Sequence, residues 1–200
     1  MHKLIFATNN KHKVDEIRSI PGLNYEIVSL KQAGIKIDIP EPYNTLEENA
    51  TEKSTVIYKL TGMDCFSEDT GLEVEALQGE PGVKSARYAG EGKSFEKNIE
   101  KLLFKMQGVE SRNAQFRTVL SLIVKGTEHK FEGICKGIIL ADKRGVGGFG
   151  YDPVFVPSGA QRTFAEMNME EKNIFSHRKI AMDKLIGFLS FSPLKNSAGI

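Results

Sequence analysis

The sequence predicts an α/β fold on a mixed sheet flanked by helices, in one domain of two lobes. Three observations carry this reading. Strand-like and helix-like stretches alternate along the chain, two long strand-like runs meet at a glycine turn, and no repeat, low-complexity tract or long linker divides the 200 residues. An opening strand-loop-helix unit and a later antiparallel hairpin in the same chain make the sheet mixed.

The elements follow in order. "KLIFAT" is an apolar run of the buried-strand type, and "KHKVDEIRSI" continues as a helix stopped at Pro21-Gly22. Residues 45–60, "TLEENATEKSTVIYKL", form a second helix with Thr45 as N-cap, Glu48 as its capping-box partner and Gly62 as its stop. Its apolar stripe is Leu46, Ala50, Ile57 and Leu60. "MDCFS" is a strand, with Glu68 and Asp69 at its carboxyl end. Between Ser94 and Gly108, Phe95, Ile99, Leu102, Leu103 and Met106 recur at helical spacing, giving a third helix with a core face. "AQFRTVLSLIVKG" and "HKFEGICKGIIL" pair as an antiparallel hairpin around Gly126. A last helix after Ser176 aligns Ala181, Leu185, Phe188 and Leu189. Residues 1–190 then make one domain and 191–200 a loose tail.

Composition narrows the function classes. At 40% hydrophobic and 26% charged residues the chain is of globular rather than disordered makeup. A net charge of +1 gives no broad attraction to duplex DNA or anionic membrane, so neither is expected as a partner and any anion site is local. The apolar run in "MHKLIFATNN" is too short for a signal-peptide core or a membrane span, which points to a cytoplasmic protein. Cys65 and Cys135 lack CxxC spacing, so neither a disulfide framework nor a zinc site is expected.

Two motifs are decoys. "GEGKS" at 90–94 resembles the end of a phosphate-binding loop, but the first glycine of that loop would fall on Arg87. Gly145, Gly147 and Gly150 satisfy GxGxxG, yet "YDPVFVP" follows and reads as a strand where a dinucleotide fingerprint needs a helix. The four glycines of "GVGGFG" serve either a tight connection or close approach to a bound group.

Other features do not fit a purely structural role. Lys11, His12 and Lys13 open the first helix, where the dipole opposes cations by a few tenths to ~1 kcal/mol each. With Thr8, Asn9 and Asn10 they make a phosphate site. Asn49 and Lys53 fall on the apolar stripe of the second helix, and a buried unpaired ammonium costs several kcal/mol, so Lys53 must snorkel, pair or serve a ligand, with Glu41, Glu68 and Asp69 as the acids that offer a partner. Glu68 and Asp69 are adjacent in a strand and so point to opposite faces. Oxygen-only acids favour a hard cation, most simply Mg²⁺ bridging carboxylates to substrate phosphates. His177 and Arg178, at the start of the last helix, project into a cleft.

Together "TNNKHKVDEI", "EENATEKS", "SEDTGLEVEALQGEPGVKSARYAG", "GGFGYDPVF" and "TFAEMNMEEKNIFSHRKIA" resemble the inosine triphosphate pyrophosphatase family, in order from Leu4 to about Leu189. The resemblance implies an elongated mixed α/β fold with a nucleotide cleft between two lobes, usually as a homodimer. It implies hydrolysis of ITP, dITP and XTP, with Mg²⁺, to the monophosphate and pyrophosphate. Residue by residue, it places Thr8 to Lys13 and Lys53 on the phosphates, Asp69 as proton acceptor and metal ligand, Glu41 as a further metal ligand and Thr70 on the substrate. Phe149, Gly150, Tyr151 and Asp152 match "FGYD", whose aromatic ring packs on the base, and Lys172, His177 and Arg178 match the residues that read the purine. Glu68 stands where the family has the first Asp of "DDSGL", Thr70 where it has Ser and Ser54 where it has Ala, which leaves metal binding divided between Glu68 and Asp69. The rival readings are a Maf-like pyrophosphatase for modified pyrimidine nucleotides and a purine nucleotide sensor without turnover.

Overall fold

A computed structural model of the chain describes residues 2–22 and 25–191. Strand β1 (His2–Phe6) leads into helix α1 (Lys11–Arg18), and strand β2 (Tyr25–Ser29) returns beside β1 in parallel. Helix α2 (Leu46–Thr61), strand β3 (Cys65–Val74), the two-residue strand β4 (Pro81–Gly82) and helix α3 (Phe95–Lys105) follow. Strands β5 (Asn113–Val124) and β6 (Thr127–Ile139) form the hairpin around Lys125 and Gly126. Strand β7 (Phe155–Pro157), helix α4 (Met169–Phe175) and helix α5 (His177–Phe191) complete the order. Residues 192–200 of the expected tail lie outside the described residues.

The sheet runs β2-β1-β3-β5-β6-β7, with β4 beside β3. Strand β1 is parallel to β2 and β3 and the remaining pairings are antiparallel, which is the mixed sheet that the alternation and the hairpin require. Alternation along β3 decides what each face meets. Phe66 joins Val14, Ile17, Ala181 and Leu185 in the apolar layer under α1 and α5. Cys65 meets Ile57 of α2 on the opposite face, where the Ser67 hydroxyl donates to the Ala50 carbonyl at 2.5 Å. Farther along, Leu72 and Val74 join Ile99, Leu102 and Met106 of α3 in a second apolar cluster. At Gly133 of β6 an added Cβ would lie 2.0 Å from the His177 carbonyl oxygen, so glycine is what lets the start of α5 sit directly on the sheet.

Several local expectations are corrected. Strand β3 does not end at Glu68 and Asp69 but continues to Val74, because residues 65–74 pair with residues 114–123 of β5. Thr45 caps α2 and accepts from the Glu48 amide, but the Glu48 carboxylate takes the Thr45 hydroxyl at 2.7 Å, so only half of the capping box forms. Gly62 closes α2 as expected. Leu60 is exposed and stands off the α2 stripe, whose last buried residue is Ile57. Phe95 also leaves the expected core face and is exposed. The glycine segment is a tight connection at Gly145 and Gly147, which press on the Ala165 backbone, and at Gly148, which presses on the Asp152 carboxylate.

Candidate active site

A cavity of about 280 Å³ opens over the middle of β3. The segment from β1 to α1 contributes Thr8, Asn9, Asn10 and Lys13; Glu41 comes from the loop before α2 and Lys53 from α2 itself. Strand β3 contributes Glu68, Asp69 and Thr70, and the glycine segment contributes Phe149, Gly150, Tyr151 and Asp152. Lys172 of α4 and His177 and Arg178 of α5 close it. Every site residue expected from the sequence is thus gathered in one place except Lys11 and His12, which are exposed outside it.

On the α2 face, Lys53 Nζ donates to Asp69 Oδ1 at 2.8 Å and to Glu41 Oε1 at 2.6 Å, and Arg87 Nη1 donates to Glu41 Oε2 at 3.0 Å. Asn49 holds the loop that carries Glu41, accepting from the Tyr43 amide and donating to its carbonyl. The polar pair Asn49 and Lys53 on an otherwise apolar stripe is therefore explained: both serve the cavity. Burial pushes the Asp69 carboxyl above its ordinary range, against the pull of Lys53 and Lys13 and with the help of Glu41. At Glu41, burial is outweighed by Lys53, Arg87 and Lys13, and its pKa is lowered to about 2.

On the opposite face Glu68 is held by Arg178, whose Nε and Nη2 each donate at 2.7 Å to a different carboxylate oxygen. Thr70 donates to the same carboxylate at 2.5 Å and Lys13 pairs with it at 3.2 Å. Arg178 also grips Glu16 of α1, and Lys172 bridges Glu16 at 2.7 Å and Asp152 at 2.5 Å. Burial is overcome at Glu68 by Arg178 and Lys13, which hold its carboxyl well below the usual range. The imidazole of His177 lies flat on Phe116, with centroids 4.8 Å apart, and its Nδ1 is buried without a hydrogen-bond partner. Burial, then Arg178 and Lys172, push His177 well below its ordinary pKa, so it is neutral at physiological pH. Beside these groups Phe149 presents its ring 5.3 Å from Lys172 Nζ and 5.7 Å from Arg178 Cζ, while His12 stacks on it at 5.0 Å.

Three contributors went unread in the sequence. Glu16 shares a helical face with Ile17 and Ile20, so its burial was signalled by spacing. Phe116 reads as ordinary strand core, and nothing marks it as a platform for His177. Arg87 sits on a three-residue 3₁₀ turn, where no periodicity applies.

Among the described residues, no group of three or more His, Cys, Asp or Glu is arranged to hold a metal ion. Both oxygens of Glu68 are held by the fully buried Arg178, whereas Glu41 and Asp69 are held by Lys53 and the half-buried Arg87, so Glu41 and Asp69 are the acids that fit a cation's ligands better. Two carboxylates completed by substrate phosphates and water suit Mg²⁺.

Fold and site together define an α/β protein whose cleft carries one end of cations and buried acids and an aromatic end with neutral and cationic donors. The Ham1 family profile matches residues 4–188, and the chain belongs to that family. A Porphyromonas gingivalis protein named dITP/XTP pyrophosphatase is 52% identical over 190 residues, 94% of this chain and 98% of its own length. One of the same name from Christiangramia forsetii is 48% identical over 188 residues, 94% and 99% of the two lengths. Among solved structures, the Staphylococcus aureus Ham1 protein superposes with a TM-score of 0.84 at 39% identity, covering 94% of this chain and 98% of its own. A HAM1 protein from Coxiella burnetii gives 0.86 at 32% identity, covering 96% and 100%.

Proposed function

We propose that the chain hydrolyses the purine nucleotides ITP, dITP and XTP to the monophosphate and pyrophosphate, keeping them out of nucleic acids. The observation that carries the reading is one cavity in which the buried Asp69, paired to Lys53, shares walls with Phe149, Lys172, His177 and Arg178. A triphosphate and a purine base need those two ends at once.

The phosphates lie along Thr8, Asn9, Asn10 and Lys13 and against Lys53, and the two lysines offset the charge of the departing pyrophosphate. Asp69 accepts a proton from a water whose oxygen attacks the α-phosphorus; the bond to the oxygen bridging the α and β phosphates breaks, and its electron pair leaves with pyrophosphate. The raised Asp69 carboxyl is suited to this, being a stronger base than an ordinary aspartate. The cation is proposed to be Mg²⁺, held by Glu41 and Asp69 rather than Glu68, and when bound it neutralises phosphate oxygens as a Lewis acid. At the other end, hypoxanthine and xanthine offer a 6-keto acceptor to the cationic donors Lys172 and Arg178, where adenine would turn an amino donor toward them. A mispaired group in such a site costs up to several orders of magnitude in rate. A cytoplasmic homodimer remains part of the proposal on the family resemblance; no helix among the described residues is long and apolar enough to cross a membrane.

Pyrophosphate release from ITP, XTP, GTP and ATP, with Mg²⁺ and with EDTA, tests the reading. Metal-dependent formation of IMP and pyrophosphate, with ATP and GTP nearly inert, is the expected result. Orthophosphate as product, or binding without turnover, would overturn it.

A further inference from the structure

Arg87 is a cation of the cavity wall that the mechanism above does not use. Its turn is fixed from several sides: the Ser85 hydroxyl accepts from the Leu72 amide at 2.9 Å, the Tyr151 hydroxyl donates to the Ser85 carbonyl at 2.9 Å, and buried Asn98 donates to the Ala86 carbonyl at 3.1 Å. The next residue, Tyr88, is scaffold, with its hydroxyl on Glu80 and its ring in the α3 cluster. A guanidinium presented from so rigid a turn is placed rather than left to solvent.

The contacts of Arg87 give it an order along the cleft. Lys53 joins Asp69 to Glu41, and Glu41 joins Lys53 to Arg87, so Arg87 lies one carboxylate beyond the reacting end. Its remaining ion pair, to Glu91 at 3.3 Å, is with a solvent-exposed side chain and restrains it little. Glu41, by contrast, carries two cations on its two oxygens. A divalent cation taking that carboxylate would compete directly with both, and a planar fork freed beside the phosphate chain matches phosphate oxygens in geometry and charge.

We infer that Arg87 is a polyphosphate-binding residue, held on Glu41 in the free protein and passed to the distal phosphates of the substrate when Glu41 turns to a divalent cation. This rests on the proposed function and assigns a residue to the leaving-group end of that same cleft.

Calorimetric titration with inorganic pyrophosphate and, separately, with dIMP tests it on the wild type, Arg87→Ala and Arg87→Lys. In Mg²⁺ the alanine variant should bind pyrophosphate about tenfold more weakly or worse, the lysine variant should fall between, and dIMP affinity should not change. In EDTA the difference between wild type and Arg87→Ala should vanish, because Glu41 then keeps the guanidinium. Unchanged pyrophosphate affinity in Arg87→Ala would overturn the inference, as would an equal loss for dIMP, which marks a scaffold, or an equal difference in EDTA. Failure of the underlying reading is distinguishable, since the wild type would then release no pyrophosphate from dITP.

Discussion

Glu68 and Asp69 are neighbours on one strand, both buried, and their surroundings push them in opposite directions. Glu68 faces α1 and α5, where Arg178, Lys13 and Thr70 hold its charge in place and lower its pKa. Asp69 faces α2, where burial and the nearby Glu41 outweigh Lys53 and raise its pKa. One acid is satisfied within the fold and fixes Arg178. The other is kept a stronger base than an ordinary aspartate, beside Lys53. The pleat of a single strand thus separates a carboxylate held within the fold from the one proposed to react.

The sharpest way to break this contrast is to neutralise Asp69. Asp69→Asn should lower turnover of dITP by about 10²–10⁴-fold, the usual contribution of a positioned base, while the fold persists. Steady-state pyrophosphate release checks the first part and a denaturant midpoint the second. The raised pKa carries a sign: a carboxyl buried in this way opposes folding at neutral pH, while its pairing with buried Lys53 supports it and leaves that lysine on Glu41 when lost, so the two effects offset and the asparagine variant should stay near the wild-type midpoint.

Glu68→Gln should do the reverse and destabilise by about 3–5 kcal/mol, because it leaves Arg178 buried with one anion fewer. Urea unfolding reads this directly. The two acids should also separate on acidification. Asp69 must be unprotonated to accept a proton, so kcat/KM falls as the pH drops through its raised pKa. Glu68, with a lowered pKa, stabilises the fold above the ordinary glutamate range and loses that contribution only as the pH falls through its own lower value. Turnover should therefore fail at a higher pH than the fold does, which paired pH profiles of rate and of circular dichroism will show.

The smallest effect concerns the outer face of Phe149. His12 stacks there from outside the cavity, a contact worth about 0.5–1.5 kcal/mol. His12→Ala should raise KM for dITP a few-fold with kcat unchanged, and His12→Phe should restore it.

Much of this contrast was legible beforehand. Two adjacent residues in a strand must take opposite faces, and Lys53 on an apolar stripe must snorkel, pair or serve a ligand; both follow from period and burial cost. The length of β3 was not legible, because "EDTG" looks like a turn until β5 is known to pair through it. The second partner of Arg178, Glu16, was readable from helical spacing but resembled an ordinary surface acid. Strand β2 and helix α4 are too short for their periodicity to stand out, and their positions are decided by pairing with β1 and by the Asn168 capping box. The role of Arg87 depends on its place in three dimensions, next to a carboxylate 46 positions earlier.

The most direct test sets the two single variants side by side, Asp69→Asn and Glu68→Gln, measuring single-turnover pyrophosphate release from dITP and the urea midpoint on the same preparations. The predicted result is a crossing: Asp69→Asn keeps its midpoint and loses its turnover, while Glu68→Gln loses midpoint and its folded fraction retains measurable turnover. Wild-type turnover in Asp69→Asn would contradict the assignment of the reactive carboxylate to the α2 face of β3.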